Sequence, residues 1–258
     1  MSTRLALNSY TVRGKLNTPN NVEDTFRQLR DIGYGAIELD LDGLLLQLDS
    51  GELKDLLEKL GLRAFSAHTG FERLENGFED SIASFKELGL EYVIVPSLPR
   101  DRFCRDEEGW TTGARMLASF SQGLSKEGIR LAYHNHSKEF EKYNGKTAMD
   151  IVFCESNWQN YLAEIDVYWV QFGGGNPAEW IRKFSGRVPL VHIKDYGIVD
   201  GKPMTVEVGE GNLNLPDILD ASNGSGVKWY VVEQDDSLRD PLESLRMSKT
   251  YLERLGVN

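Results

Sequence analysis

One phrase recurs through this chain and limits what it can fold into. "DIGYGAIEL", "KLGLRAFSA", "ELGLEYVIV" and "KEGIRLAYH" each read as the end of a helix, a glycine, and then an apolar strand. A glycine directly after a helix takes the left-handed cap that stops it, and a strand that starts two or three residues later runs back alongside the previous one. The phrases recur at intervals of roughly 30 residues, the length of one strand–helix unit. Eight such units fill the 258 residues, so the pattern predicts a single-domain (β/α)8 barrel spanning 1–258. The expected strands are Leu5–Tyr10, Ala36–Leu41, Arg63–Ala67, Tyr92–Pro96, Arg130–Asn135, Leu162–Asp166, Pro189–Lys194 and Trp229–Glu233. Most are short apolar runs, as in parallel strands covered on both faces. Helical periodicity fills the gaps, with Val22, Phe26, Leu29 and Ile32 on one face before Gly33. An open doubly wound sheet is the competitor. It would carry a Gly-rich phosphate loop after its first strand, where this chain has Thr11-Val12-Arg13-Gly14-Lys15.

Charge excludes several functions. The formal net charge is −11, and an anionic surface repels nucleic acid and anionic membrane. No run approaches the ~18 apolar residues of a membrane span. The amino-terminal Met1-Ser2-Thr3-Arg4 leads straight into the first strand without a signal-like apolar segment. Cys104 and Cys154 lie far apart without metal spacing, so a reduced, cytoplasmic setting is expected.

In a barrel the chemistry gathers at the carboxyl ends of the strands. Those ends carry Asn8/Tyr10, Glu38/Asp40, His68, Pro96, His134/His136, Asp166, His192/Lys194 and Glu233. All four histidines of the chain are among them. His134 and His136, two apart in a strand, face the same way, with Glu139 three residues on. Histidine, aspartate, histidine and glutamate on the last four strands can converge on one divalent cation, and a mixed imidazole–carboxylate set suits Mn2+, Zn2+, Co2+ or Fe2+.

The stretches "LAYHNHSKEF", "EIDVYWVQFGG", "VHIKDY", "VGEGNLNLPDIL" and "WYVVEQD" resemble, in order, the signature segments of sugar phosphate isomerases/epimerases of the xylose isomerase-like TIM-barrel superfamily. "NSYTVRGKL", "DIGYGAIEL", "FSAHTGFERLENG" and "YVIVPSLP" extend the likeness through the amino-terminal half. The resemblance implies one divalent metal, Mn2+ first, with Mg2+, Co2+, Zn2+ or Fe2+ as alternatives. Its ligands would be Asp166, His192 and Glu233, and a fourth residue after the fifth strand. There the sequence departs from the ketose epimerases, placing His134 where they have Glu. His134 is the first choice for that ligand, His136 the second, and the site is correspondingly less anionic.

The expected reaction is isomerisation or epimerisation of a sugar, sugar phosphate or keto-sugar, by proton abstraction α to a carbonyl through a metal-stabilised enediolate. Glu233 and Glu139 would be the acid/base pair, one on each face of the reacting carbon, and Lys194 would polarise a substrate oxygen. His68, His136, Gln171 and Glu210 would bind substrate, with Tyr10, Trp169 and Phe172 as an apolar wall. The alternative for Asp166 is a helix N-cap, and Asn176-Pro177 after three glycines reads as N-cap and first turn rather than a phosphate cradle. A lyase that expels a β-leaving group from the same enolate, as inosose dehydratases of this superfamily do, is the alternative. A non-catalytic sugar-binding barrel comes next. An endonuclease IV-like enzyme is opposed by the charge and by a single ligand set. The partner is a small-molecule sugar, and outer helices could support a homodimer.

Overall fold

The structure, a computed structural model, describes residues 4–41, 44–155 and 161–257. Eight strands form a closed, all-parallel barrel: β1 (Arg4–Asn8), β2 (Ala36–Asp40), β3 (Arg63–His68), β4 (Tyr92–Val95), β5 (Arg130–His134), β6 (Leu162–Asp166), β7 (Leu190–Ile193) and β8 (Trp229–Val232). β8 pairs with β1 in register Leu5–Tyr230 and Leu7–Val232, which closes the ring. Every expected strand is present. β1 is shorter than expected because the Asn8 side chain accepts the Tyr10 N–H at 2.7 Å and turns the chain into a 3-10 helix, Ser9–Lys15.

The four glycines of the recurring phrase, Gly33, Gly61, Gly89 and Gly128, have φ of 106°, 70°, 71° and 78°. Each therefore occupies the left-handed region that side chains with a Cβ avoid. The helices these caps end lie outside the barrel and bury one stripe; Pro19–Ile32 buries Val22, Thr25, Phe26 and Leu29.

Along the strands, alternate residues face inward, and these rows change character from floor to mouth. Ala6, Ala36, Phe65, Tyr92, Ile94, Ala132, Leu190, Trp229 and Val231 form a separate apolar core inside the ring. Phe65 and Trp229 stack across its floor with ring centroids 4.0 Å apart, a contact worth about 1 kcal/mol beyond its buried area. Two residues further along, the same rows present Asn8, Glu38, His134 and His192, all buried. The fold thus places a polar cluster on an apolar plug.

Two short antiparallel hairpins, Lys142–Thr147 and Asp195–Val206, interrupt the βα pattern on the mouth side of β5 and β7. Cys104 is buried and free; the Cys154 side chain lies outside the described residues. No helix among the described residues is long and apolar enough to cross a membrane.

Candidate active site

The polar cluster has two tiers. In the lower tier, three imidazoles converge on one oxygen. His68 Nε2, His134 Nδ1 and His192 Nε2 lie 2.9, 3.0 and 3.2 Å from Glu164 Oε2. Glu38 closes the other side: its Oε1 takes His192 Nε2 at 2.6 Å and the Asn8 amide at 2.9 Å, and its Oε2 accepts the Ser66 hydroxyl at 2.6 Å. In the upper tier, the Lys194 ammonium sits 2.9 Å from Asp166 Oδ2, 2.6 Å from Glu233 Oε2 and 2.8 Å from Asp235 Oδ2. His192 joins the tiers through Nδ1, which lies 2.9 Å from Glu233 Oε2.

Burial disfavours charge on every member, and the neighbours decide what survives. Glu38 overcomes its burial through the imidazoles of His68 and His192 and is held well below the usual carboxylate range. Glu164 is pushed up to about 7 by burial and by the charge of Glu38. Burial likewise raises Asp166 to about 6. Burial would raise Glu233 too, but Lys194 and His192 override it and keep the carboxylate ionised. His68 would lose its proton to burial, yet Glu38 and Glu164 lift it to about 10. His134 stays below its ordinary range, first through burial and then through the positive charge of His192. One shared proton inventory, not independent groups, sets these states.

The structure brings together His68, His134, Asp166, His192, Lys194 and Glu233 of the predicted residues. Asp166 serves both of its expected roles: Oδ1 caps the next helix by accepting the Trp169 N–H at 2.9 Å, and Oδ2 faces Lys194. His136 lies at the rim, 5.4 Å from the Trp169 ring, and burial drives its imidazole down to about 3. Trp169 stands 5.8 Å from Lys194 Nζ, and its buried indole N–H meets no hydrogen-bond acceptor. Tyr10 is partly exposed beneath the Arg13 guanidinium, 4.0 Å from its ring, and Arg13 in turn donates to the Asp235 carbonyl.

The other predicted residues lie outside this cluster. Glu139 is fully buried, with Oε1 accepting the Tyr133 hydroxyl at 2.5 Å and Oε2 the His136 N–H at 2.8 Å. Both oxygens hold the turn after β5 in this arrangement, which suits a positioning role. Gln171 is exposed on the helix Val167–Phe172, beside a surface hollow lined by Gly174, Asn176 and Asn214. Glu210 is exposed in the loop after the second hairpin, whose shape is set by Asp195. The glycines before Asn176 are structural: a Cβ on Gly173 would lie 2.5 Å from the Phe140 ring, Gly174 turns the chain with φ of 83°, and Asn176 caps the following helix.

Sequence reasoning missed Glu164 as a site residue and left Glu38 without a role. Both face inward two residues before or beside a strand tip, and the alternation of inward residues was the signal that could have found them.

The donors fit a divalent cation. Two overlapping quartets, His68/His134/Glu164/His192 and His134/Asp166/His192/Glu233, each hold their ligand atoms within 4.8 Å of one another. Glu164 Oε1 is buried without a partner, and the buried carboxylates are balanced here by Lys194 and by the imidazoles of His68 and His192, which they hold protonated; a bound cation would take over the charge of those imidazole protons. Buried charge of this density needs a counter-charge.

A closed α/β barrel with its polar residues gathered at the carboxyl ends of the strands belongs to the enzyme-bearing class of such barrels. Residues 26–254 match the model of the xylose isomerase-like TIM barrel, and the chain belongs to that family. Among curated proteins it is 23% identical to an inosose dehydratase of Clostridium beijerinckii, over 92% of this chain and 90% of the relative. It is 22% identical to an inosose dehydratase of Geobacillus kaustophilus, over 90% and 87%. Among solved structures, a sugar phosphate isomerase/epimerase from Parabacteroides distasonis superposes with a TM-score of 0.82 at 23% identity, covering 98% of this chain and 94% of that one. A zinc-bound IOLI protein superposes with a TM-score of 0.77 at 17% identity, covering 98% of each chain. These two likenesses show the fold.

Proposed function

We propose that this chain removes the proton α to the carbonyl of a keto-sugar or inosose-like polyol, and that the carbanion so formed expels a β-hydroxyl as water. The observation that carries the reading is the buried pair Glu233–Lys194, 2.6 Å apart. An ionised carboxylate is the base for the C–H proton, and the adjoining ammonium is an acid for the leaving hydroxyl. The direct contact lets the proton gained by Glu233 return to Lys194 and resets both groups. Asp166 and Asp235 keep Lys194 charged and fix its position. The unpartnered Trp169 indole N–H and the neighbouring neutral His136 would bind substrate hydroxyls at the rim. His134 and His192, common to both quartets, would hold a divalent cation, which when bound supplies Lewis-acid polarisation of the carbonyl. The inosose dehydratases to which the chain is similar support this lyase reading.

Isomerisation or epimerisation, the first expectation from sequence, shares the proton-abstraction step and is the second reading. It is favoured by fold neighbours named L-ribulose 3-epimerase and sugar phosphate isomerase/epimerase. Epimerisation needs an acid on the opposite face of the carbon, and the residue assigned to that task, Glu139, has both oxygens occupied. Proton NMR in D2O, with metal-loaded protein and a panel of keto-sugars, sugars and inosose, separates the two. A vinylic product supports elimination, deuterium at the α-carbon of an intact skeleton supports epimerisation or isomerisation, and no exchange with any substrate rejects both.

A further inference from the structure

We propose that the mouth carries a second binding place beside the catalytic pair, an apolar strip of Trp169, Phe172, Tyr196 and Ile198, and that the substrate is an uncharged keto-sugar glycoside whose second ring lies on this strip. This rests on the reading above that the barrel takes a keto-sugar, and it narrows that class. A free monosaccharide would leave the strip bare, and a sugar phosphate would meet the wrong charge.

Three observations carry the assignment. First, the rings continue outward from the reacting groups. Trp169 stands 5.8 Å from Lys194 Nζ and 5.4 Å from the His136 ring. Phe172, three residues on in the same helix, shares its face and lies 5.4 Å from it. Tyr168 is 6.0 Å from Phe172 and carries the row across to Tyr196 of the hairpin, 5.4 Å away. Tyr196 and Ile198, two apart in a strand, face the same way. Four large apolar side chains are exposed among the described residues, and two of them stand on this strip: Phe172 is 45% exposed and Ile198 55%. Apolar surface that starts at the reacting groups and leads outward is the shape of a place for a ring attached to the substrate.

Second, the strip is held in place. Phe172 ends its helix, and the glycines after it let the chain press onto the layer beneath. A Cβ on Gly173 would lie 2.5 Å from the Phe140 ring, and one on Gly175 2.8 Å from the Trp180 indole nitrogen. Phe140 and Trp180 themselves pack edge to face at 5.4 Å. Asp195 fixes the other half, its carboxylate accepting the N–H groups of Tyr196, Gly209, Gly211 and Leu213. A platform already ordered loses little freedom when a ligand settles on it.

Third, the charges at the mouth suit a neutral ligand. Lys194 is held by Asp166, Glu233 and Asp235 together. Arg13 donates to the backbone carbonyls of Tyr10 and Asp235, and Lys138 to the Ser97 hydroxyl and the Leu98 carbonyl. These three cations are engaged by the protein's own oxygens, so a phosphate on the outer end of a substrate would meet carboxylates instead. The carbon–hydrogen face of a pyranose, or an aromatic aglycone, needs no charge and stacks on exposed rings.

The test measures binding, with sugars that lack the carbonyl and so cannot react. NMR titration gives the affinities of the wild type, Phe172→Ser and Ile198→Ser for the phenyl and methyl β-glycosides of glucose and galactose, cellobiose, myo-inositol and glucose 6-phosphate. Circular dichroism checks each variant for folding. The quantity read is the affinity for the phenyl glycoside or cellobiose relative to the methyl glycoside. In the wild type this ratio should be about tenfold, with saturation transfer strongest at the second ring, and it should fall to about twofold in Phe172→Ser and decline in Ile198→Ser. A gain for the phenyl glycoside alone marks an aromatic aglycone, and a gain for cellobiose as well marks a second sugar; both support the strip. A wild-type ratio near one, an unchanged ratio in Phe172→Ser, tighter binding of glucose 6-phosphate than of the ring-bearing ligands, or binding of none of them overturns the proposal. If neither variant folds, the wild-type ratio and its saturation transfer decide. Deuterium exchange tests the reaction separately: exchange without the ratio rejects the strip alone, and the ratio without exchange rejects the reaction alone.

Discussion

Lys194 and Glu233 show how a single contact can define a site. Each is buried; Asp166, Glu233 and Asp235 keep Lys194 charged, and Lys194 and His192 keep Glu233 ionised. Glu233→Gln keeps the shape and removes the base, so turnover should fall by about 10²–10⁴-fold with substrate affinity changed only severalfold; steady-state kinetics and the loss of α-deuterium exchange check this. Glu139 offers a test free of catalysis. Burial, opposed by Lys138 and Tyr133, raises its carboxyl from the ordinary 4.5 to about 7. The folded state therefore binds this proton more tightly than the unfolded chain. The stability it confers is fully present below about pH 4.5 and is lost as the pH rises through about 7. A shift of about 2.5 pH units corresponds to about 3 kcal/mol. Glu139→Gln mimics the protonated acid, so in urea unfolding it should match the wild type near pH 5 and exceed it by up to about 3 kcal/mol near pH 8. An unchanged difference between the two pH values would show that the carboxyl titrates normally.

Among the structural elements, the hairpin Asp195–Val206 and the loop behind it form a unit built on one side chain. The Asp195 carboxylate accepts the backbone N–H groups of Tyr196, Gly209, Gly211 and Leu213 at 2.8, 2.9, 3.2 and 3.1 Å. An amide has one acceptor oxygen and turns its NH2 toward donors, so Asp195→Asn should cost about 2–3 kcal/mol. Its effect should be local, appearing as faster hydrogen exchange at Gly209, Gly211 and Leu213 while the barrel strands keep their protection. This unit also marks where sequence reading stopped. The barrel strands were legible because most are apolar runs, four of them after a glycine cap, and His134, Asp166 and His192 were legible as strand-tip residues. The hairpins are signalled only by Asn144-Gly145 and Asp200-Gly201, which take the paired positive φ of tight hairpin turns, and the strand reading above includes neither. Glu164 was hidden inside an apolar strand, where its partners come from β3, β5 and β7, up to 96 residues distant along the chain. Glu139 read as one of the acid/base pair because the Tyr133 hydroxyl that donates to it is invisible without the fold.

Across the whole molecule, the barrel separates stability from chemistry along its axis. The floor, with Phe65 stacked on Trp229, is apolar, and the mouth is a concentration of carboxylates in a chain of net charge −11. Either candidate quartet draws ligands from at least three strands, so an ion there would tie together strands spread over half of the ring. These ligands are assembled only in the folded state, so binding must add to folding stability. At a free ion concentration of about 100 times the dissociation constant the gain is about 2.7 kcal/mol, a rise of about 5–10 °C in Tm for a domain of this size. Adding Zn2+ to chelator-stripped protein should produce that rise in a thermal melt, and excess chelator should reverse it. His134→Gln, which removes a ligand common to both quartets, should show little or no rise. Trp229→Ala should do the reverse. Loss of the floor aromatic should cost about 3–5 kcal/mol, yet the increment from Zn2+ should survive, since the ion contacts nothing below the polar tier. An increment lost in Trp229→Ala, with the protein still folded, would mean that the floor positions the ligands and that the two ends of the barrel are one cooperative unit.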